Sequence, residues 1–548
     1  MTASVRRPNA KVSVNTPTLT AAGGLWSPMR EATFRNLLIA DVLSDIGTFM
    51  QSVGAAWLMV SFGVGPMYVA LTQTASSLPF FVFALPAGAI GDIVDRRKLI
   101  LFTEAWMVGL AVLLALLTIA GAMTPWLLLA FTFAISSGDA LETPTWRAIL
   151  PELVPRSDLA AASALNGIEF NLARAVGPAL AGGLIAAAGV GAAFAVNAIS
   201  FVGVIWVVAR WKRRRQTRTV PAETVAGATV AALRYVRHSP DIRAITVRSG
   251  IVMFFASALL ALMPTIASRA GGSSLGYGFL LGCFGAGAVG GALLMQRARA
   301  RWSMDAVVST SIGVLGLSIS FVAIARGLAT LGLLMLVAGA AWIAFISLFS
   351  ALVQGMAPDW VRARVAAIFM LVFQGGLAAG SAVWGLIAER AGIQAALESA
   401  ALGCIAVAVV GYFSQLPAAP ADVSPWNHWR MPAAGTELDA ALEKGPVLVI
   451  VEYVVDPQHA GAFFDVMRDF EHFRRRDGAS RWGVYHDTEA PERYVETFVV
   501  GSWAEHLRQH ARLTQADRKL EDRLHAVVRG QPQVRHLIDA RGNAQEAV

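Results

Sequence analysis

The sequence predicts an all-α polytopic membrane protein, with twelve transmembrane helices in two six-helix halves, followed by a small C-terminal α+β cytoplasmic domain. Three observations carry the prediction. The 548 residues are 55% apolar and only 15% charged, against roughly 25% charge in soluble domains. Apolar runs recur from about Arg35 to Gln415, each near the ~20 residues that cross a ~30 Å hydrocarbon core. A stretch of the first half also returns in the second. Backbone groups in lipid must bond within their own segment, so runs of this length are helices.

In chain order, residues 1–33 are polar and rich in Thr, Asn and Pro. They lack an apolar core with a small-residue cleavage site and read as a cytoplasmic tail, the first helix acting as an uncleaved insertion signal. Helices are expected at 34–62, 67–91, 99–121, 125–146, 158–188 and 190–210. A basic cytoplasmic linker fills 211–243. Helices follow at 244–268, 275–296, 304–325, 328–353, 362–388 and 393–415. A Pro-rich linker, 416–445, leads to the α+β domain at 446–548. Cys283 and Cys404 both fall in apolar runs, which excludes a disulfide framework.

Basic residues set the orientation. Arg96, Arg97 and Lys98 follow the second helix, Arg147 and Arg156 the fourth, Arg297, Arg299 and Arg301 the eighth, and Arg362 and Arg364 the tenth. The linker after the sixth opens with Trp211, Lys212, Arg213, Arg214 and Arg215, whereas the opposite loops hold only isolated Arg269, Arg326 and Arg390. Both termini are therefore expected in the cytoplasm of a bacterial inner membrane. The net charge of +8 follows from juxtamembrane Lys and Arg facing anionic lipid, and no nucleic-acid partner is expected.

The repeat is specific. Residues 155–189, PRSDLAAASALNGIEFNLARAVGPALAGGLIAAAG, align without gaps to 358–392, PDWVRARVAAIFMLVFQGGLAAGSAVWGLIAERAG, matching Phe170 to Phe373, Gly177 to Gly380 and Gly182 to Gly385. Duplicated halves that rock about a midplane site are a transporter architecture.

The turn GAIGDIVDRRKLI resembles the signature loop of the major facilitator superfamily, G-x-L-A-D-R-x-G-R-[KR]. Gly88, Asp92, Arg96 and Arg97 fall on its positions; Ile93 replaces the first Arg and Asp95 the Gly. The resemblance implies a charged gate on a moving bundle, rearranged here by those two departures, with Arg147 beside it. DIGTFMQSVGAAWLM (45–59), TPTWRAILPELVPRSDLAAASALN (143–166) and VRARVAAIFMLVFQGGLAAGSAVWGL (361–386) resemble the branch that contains the enterobactin exporter and other transmembrane secretion effectors, over about residues 34–415. AVGPALAGG in the fifth helix is similar to the antiporter motif G-P-x-x-G-G, with Gly177, Pro178 and Gly182 in place, Ala181 where the first of the paired glycines belongs, and Gly183 directly after it. That likeness implies efflux.

Ionisable groups at membrane depth are costly and mark pathways. Asp41 and Asp45 are four residues apart on one helix face. Asp45 lies eleven residues past Phe34, roughly 16 Å into the bilayer. Asp139 and Glu142 share a face of the fourth helix, and the fifth carries Glu169 and Arg174. We expect Asp45, with Asp139 or Glu142, to carry a coupling proton, and Glu169 with Arg174 to form a structural or gating pair. Glu104 is expected to pair with Arg96 or Arg97. The second half is poor in buried charge, which suits an amphipathic small-molecule cargo.

In the tail, Trp426 and Trp429 are expected at the membrane interface. VLVIVEYVV, RWGVYHD and RYVETFVVG read as strands, PQHAGAFFDVMRDFEHFRRR as a helix, and SWAEHLRQHARLTQADRKLEDRLHAVVRG as one further charged helix. This β-α-β-β-α order resembles the ferredoxin-like barrels of antibiotic-biosynthesis monooxygenases, which implies a homodimer. His472, His486, His506, His510 and His525 fit no metal motif and read as solvated or dimer-facing. No G-x-x-x-x-G-K-[ST] loop is present, so the expected energy source is a proton gradient, with no cofactor. The expected function is proton-coupled export of small amphipathic molecules such as drugs or siderophores. The rivals are an uptake permease and a transporter whose tail modifies its cargo.

Overall fold

The computed structural model describes residues 24–211, 225–414, 422–424, 426 and 445–539, apart from the side chains at 84–85, 88–89, 91–93, 156, 225–226, 228, 296 and 511. A short 3-10 turn, Ser27–Arg30, precedes α1 (Ala32–Ser61). Then come α2 (Pro66–Ile93), α3 (Arg96–Ile119), α4 (Pro125–Leu153), α5 (Leu159–Ala188) and α6 (Val190–Arg210). After α7 (Val225–His238) follow α8 (Pro240–Arg269), α9 (Ser274–Arg301), α10 (Met304–Ile324), α11 (Leu328–Gly355), α12 (Arg362–Ala391) and α13 (Ile393–Phe413). Ten of these are long and apolar enough to cross a membrane. The long helices outside that ten are α2 and α4; α4 carries Asp139, Glu142, Arg147 and Glu152 within its span.

Helix lengths recur between the two sets. α1 and α8 both have 30 residues, α2 and α9 both 28, α5 and α12 both 30, and α6 and α13 both 21. The packing recurs as well. α1 lies on α5 and α6 as α8 lies on α12 and α13, and α3 on α4 and α6 as α10 on α11 and α13. Gly189 and Gly392, equivalent in the repeat, end α5 and α12 with φ of 80° and 91°, a region open to glycine without steric cost.

The two sets meet along α5–α9 and α2–α12. Apolar side chains gain little by leaving lipid for each other, so close approach rests on small residues. Gly182 of α5 faces Ser274 and Gly278 of α9, and its repeat mate Gly385 of α12 faces Met67 and Ala70 of α2. Glu389 accepts a bond from the Met67 N–H at 3.4 Å beside this contact. Toward the end that carries Arg96 and Arg97, Ile168 and Leu172 of α5 and Leu293 and Leu294 of α9 are exposed.

The connection between the sets is more ordered than a basic linker. α7 is amphipathic and buries Ala231, Ala232, Tyr235 and Val236, and α8 begins at Pro240 rather than 244.

The C-terminal unit runs β1 (Val447–Val454), α14 (Ala460–Asp477), β2 (Arg481–His486), β3 (Arg493–Val500), α15 (Trp503–Ala511), α16 (Gln515–His525) and β4 (Gln533–Ile538). Its sheet is antiparallel in the order β2-β3-β1-β4. Two corrections concern its elements. The single charged helix is two, because Thr514 and Asp517 form a capping box that starts α16, satisfying amides a continuous helix would not expose. A fourth strand, β4, pairs with β1 along Val447–Glu452. Phe463, Val466, Met467, Phe470 and Phe473 of α14 cover one sheet face, at the spacing of an amphipathic helix. Trp426 belongs to this unit and not to a membrane interface: its N–H donates to the Leu513 carbonyl at 2.9 Å and its ring packs on the domain core. Trp429 lies outside the described residues.

Candidate functional site

Four helices of the first set converge on six carboxylates. Asp41 and Asp45 come from α1, Glu104 from α3, Asp139 and Glu142 from α4, and Glu169 from α5. Glycines bring the helices together there. A Cβ at Gly177 of α5 would stand 2.7 Å from Phe49 Cβ of α1, and one at Gly138 of α4 2.7 Å from Met107 Cγ of α3. Glu104, Glu142 and Glu169 are buried, at 3%, 2% and 5% exposure; Asp41, Asp45 and Asp139 are half-buried.

The six act on one another. Asp41 feels Asp45 and Asp139, and Asp45 feels Asp139. Glu104 lies within hydrogen-bond reach of Glu142, and Glu169 within reach of Asp45. Other donors are few. Glu142 accepts from the Thr103 hydroxyl and the Trp146 indole N–H, and Asp139 accepts from the Thr143 hydroxyl at 3.4 Å. Glu104 Oε2 and Glu169 Oε1 have no partner. No Lys or Arg pairs with any of the six among the described residues. Two carboxylates ~4 Å apart repel by about 4 kcal/mol at an effective dielectric of about 20, so such a cluster binds protons or cations rather than standing fully ionised.

This arrangement corrects two expected pairings. Glu169 faces Asp45 and not Arg174, which is half-buried and joined to none of the described carboxylates. Glu104 faces Glu142 and not the arginines, which are engaged elsewhere. Arg96 donates to Glu152 at 2.8 Å and to the Ala148 carbonyl at 2.7 Å, both on α4. Arg97 donates to the Val208 and Ala209 carbonyls at the end of α6, at 3.0 and 2.5 Å, where the helix dipole favours a cation. Asp95 caps α3 by accepting from Lys98 N–H at 3.2 Å. Arg96 and Arg97 thus bind α4 and α6, inside the first set. Arg147 is exposed; the side chains of Gly88 and Asp92 lie outside the described residues.

In α5, Gly177 serves the contact with α1 and Gly182 the contact with α9. The Pro178 carbonyl would lie 2.8 Å from a Cβ at Gly278, and Gly183 has nothing within 4 Å. Two further polar features escaped the sequence reading. The first is a buried bond from Asn197 of α6 to Gln51 of α1 at 2.6 Å. The second is Arg248 of α8, which donates to Ser309 at 3.0 Å while its Nε and Nη1 find no acceptor.

The C-terminal unit has its own polar interior. Glu496, fully buried, accepts from Tyr453 at 2.8 Å, Trp482 at 2.9 Å and Arg474 at 3.0 and 3.3 Å. His506 is buried, which corrects its solvated reading. Its Nδ1 meets Gln509 Oε1 at 3.2 Å, and Gln509 in turn donates to the Asp477 carbonyl. Its Nε2 stands 3.2 Å from His510 Nε2, and the His536 ring centroid lies 4.6 Å away. Burial first, then the neighbouring histidines, push His506 down to about 3. Burial and Arg474 push His510 down to about 4. The unit is joined to α7 and the bundle through Glu505, which accepts from Arg234 at 3.0 Å, and through Arg512, which lies 4.2 Å over the Trp360 ring.

Comparison with known proteins agrees with the helical fold. Over 391 residues the chain is 24% identical to the multidrug efflux pump Tap of Mycolicibacterium fortuitum, covering 69% of this chain and 94% of that one. Over 164 residues it is 25% identical to the staphyloferrin A transporter of Staphylococcus aureus, covering 30% and 41%. Among solved structures, the nucleoside transporter NupG superposes with a TM-score of 0.57 at 13% identity, over 70% of this chain and 99% of that one. A bacterial homologue of the human lysosomal transporter Spinster, inward-facing and unoccupied, gives 0.55 at 15% identity, over 71% and 97%. The family model for the transmembrane secretion effectors matches residues 23–544, so it runs past the bundle and over the C-terminal unit. The chain is a membrane transporter and belongs to the transmembrane secretion effector family of the major facilitator superfamily.

Proposed function

We propose that the protein is a proton-coupled exporter of small amphipathic molecules across a bacterial inner membrane. In this reading the two sets form twelve spans in two six-helix halves, with both termini and the C-terminal unit in the cytoplasm and the proton gradient in place of any cofactor. The observation that carries it is the uncompensated carboxylate cluster shared by α1, α3, α4 and α5. Groups of this kind bind a proton or a cationic cargo in alternation. An acid-lined site favours neutral or cationic drugs and repels anionic chelators, so a drug is favoured over a siderophore as cargo.

The C-terminal unit is read as a ferredoxin-like domain, supported by its β-α-β-β-α-β order and its strand order. Homodimerisation is supported by the sheet face opposite the helices, where Val454, Tyr485 and Leu537 are exposed.

The test is export of a panel of hydrophobic cations, macrolides and catecholate siderophores from an efflux-deficient host, comparing wild type with Asp45→Asn, with and without a protonophore. Retention of a compound only in the mutant or the uncoupled cells is the expected result. A panel that wild type fails to move at all, or moves equally well with the protonophore present, overturns the reading.

A further inference from the structure

Glu104 is the α3 member of the carboxylate cluster and is buried, at 3% exposure. It lies eight residues into α3, about 12 Å along the helix axis. The charged groups acting on it are Glu142 and Asp139 from α4 and Asp41 from α1. α6, which also packs on α3, has Arg210 as its one charged residue, and that guanidinium is stacked 3.8 Å over Trp206 at the helix end. Arg96 and Arg97, the nearest cations in sequence, are held by α4 and α6. Glu104 therefore meets Glu142 with no cation between them.

The donors divide unequally. Glu142 accepts from Thr103 and Trp146, two bonds that suit a carboxylate. Glu104 has an oxygen, Oε2, that is buried without a partner, and its carboxyl is turned to Glu142. A hydrogen bond between two carboxyls requires one proton, because neither group has a donor when ionised. The geometry points to Glu104 and Glu142 as a carboxyl dyad that holds one proton between them, Glu104 as the acid and Glu142 as the acceptor, and that serves as the proton store of the transport cycle. When the dyad ionises, the O–H bond of Glu104 breaks and the proton leaves toward Asp139 or Asp41. No other bond changes. Asp45 and Glu169 are then left to the cargo.

The inference rests on the proton-coupled reading, and its test separates the two. Full-length protein in detergent is followed by infrared difference spectroscopy across pH, reading the C=O stretch of protonated carboxylic acids and its shift in deuterium oxide. Wild type is expected to carry such a band at neutral pH. E104Q is expected to lose it, since the amide supplies a donor to Glu142 without a proton. E142Q is expected to shift it, since the proton then sits on Glu104 alone, and this variant decides the matter where E104Q fails to fold. E489Q, on the exposed surface of the C-terminal unit, is expected to leave it unchanged. In proteoliposomes, E104Q is expected to lose accumulation of tetraphenylphosphonium driven by an imposed pH gradient and to retain its downhill exchange. Absence of the band in wild type, or its persistence unshifted in both glutamate variants, overturns the dyad. A band that behaves as expected, in a wild type that accumulates nothing under a pH gradient, upholds the dyad and removes the proton-coupled export reading instead.

Discussion

Gly182 and Gly278 stand back to back. A Cβ built on Gly182 would lie 3.1 Å from the Gly278 Cα, and one built on Gly278 would lie 3.0 Å from the Gly182 Cα. The crossing of α5 and α9 therefore has room for hydrogen alone on both sides. Gly385, the repeat mate of Gly182, meets Ala70 and Met67 of α2 at the equivalent crossing. Both joints between the two sets are thus built on residues that the internal repeat equates.

Gly182→Leu is expected to wedge α5 from α9 and abolish transport, while Gly183→Leu is tolerated because that position opens onto free space. Overpacking of a close contact costs about 1–3 kcal/mol, so Gly182→Leu is also expected to lower the thermal midpoint in detergent. Uptake or export assays with matched surface expression check both variants; equal loss in the two would mean that the glycine contact is not the joint.

The long helices were legible because each is an apolar run bounded by polar residues, and the repeat paired the fifth helix with its counterpart in the second half. α7 was not: its 14 residues follow a basic stretch, and its buried face of Ala231, Ala232, Tyr235 and Val236 is too short to stand out from the charges around it. β4 reads QVRHLI, an alternation of three periods that follows a charged helix closely. The Thr514–Asp517 capping box was readable as a Thr followed three residues later by an acid, yet apolar spacing on both sides masked the break.

Site residues fared differently. Asp41, Asp45, Asp139 and Glu142 were visible as charges in oily segments, and the structure brings them together. Glu104 was assigned to Arg96 and Arg97 by sequence proximity alone. Eight residues of helix separate Glu104 from Arg96 by about 12 Å of rise, whereas Glu142, 38 positions away, arrives beside it by helix packing. Pairings across helices are a property of the crossing, which a single sequence does not encode in its spacing.

Glu496→Gln is expected to destabilise the C-terminal unit by about 3–5 kcal/mol, the cost of breaking a buried ion pair and stranding its partner. Arg474 loses its counter-charge, and the new amide presents donors to a site already supplied by Tyr453, Trp482 and Arg474. Tyr453→Phe removes one bond and costs about 1 kcal/mol. Hydrogen exchange of β1 and β3 amides in the full chain reads both; similar protection in Glu496→Gln and wild type would mean that Glu496 contributes little to the unit's stability.

Glu505→Ala is expected to loosen the C-terminal unit from the bundle. Glu505 neutralises Arg234 of α7 together with Arg508 and Arg512 of its own unit. Without it three guanidiniums are left at one seam, although Arg512 keeps its stack on Trp360. Exchange protection of the α7 amides should fall in Glu505→Ala and less so in Trp360→Ala, while protection of the strands stays constant. Unchanged α7 protection in Glu505→Ala would mean that apolar burial of Tyr235 and Val236 alone holds the seam.

Acid is expected to destabilise the C-terminal unit as pH falls below 6.5. His506 and His510 sit at about 3 and about 4 in the fold, against an ordinary value of 6.5. The folded state binds these protons more weakly than the unfolded chain, so the stability of the neutral pair is complete above pH 6.5 and is lost as pH falls from 6.5 toward 4. Each histidine contributes a slope of at most about 1.4 kcal/mol per pH unit in that window. His506→Phe keeps a buried ring beside Trp503 but removes one titrating site, so its stability should fall less steeply between pH 6.5 and 5, with His510 and His536, also lowered by burial, remaining. Exchange protection of the sheet amides in the full chain, corrected for intrinsic rates, follows both profiles. A wild-type profile that is flat from pH 7 to 5 would place the two imidazoles in contact with solvent, where protonation costs nothing.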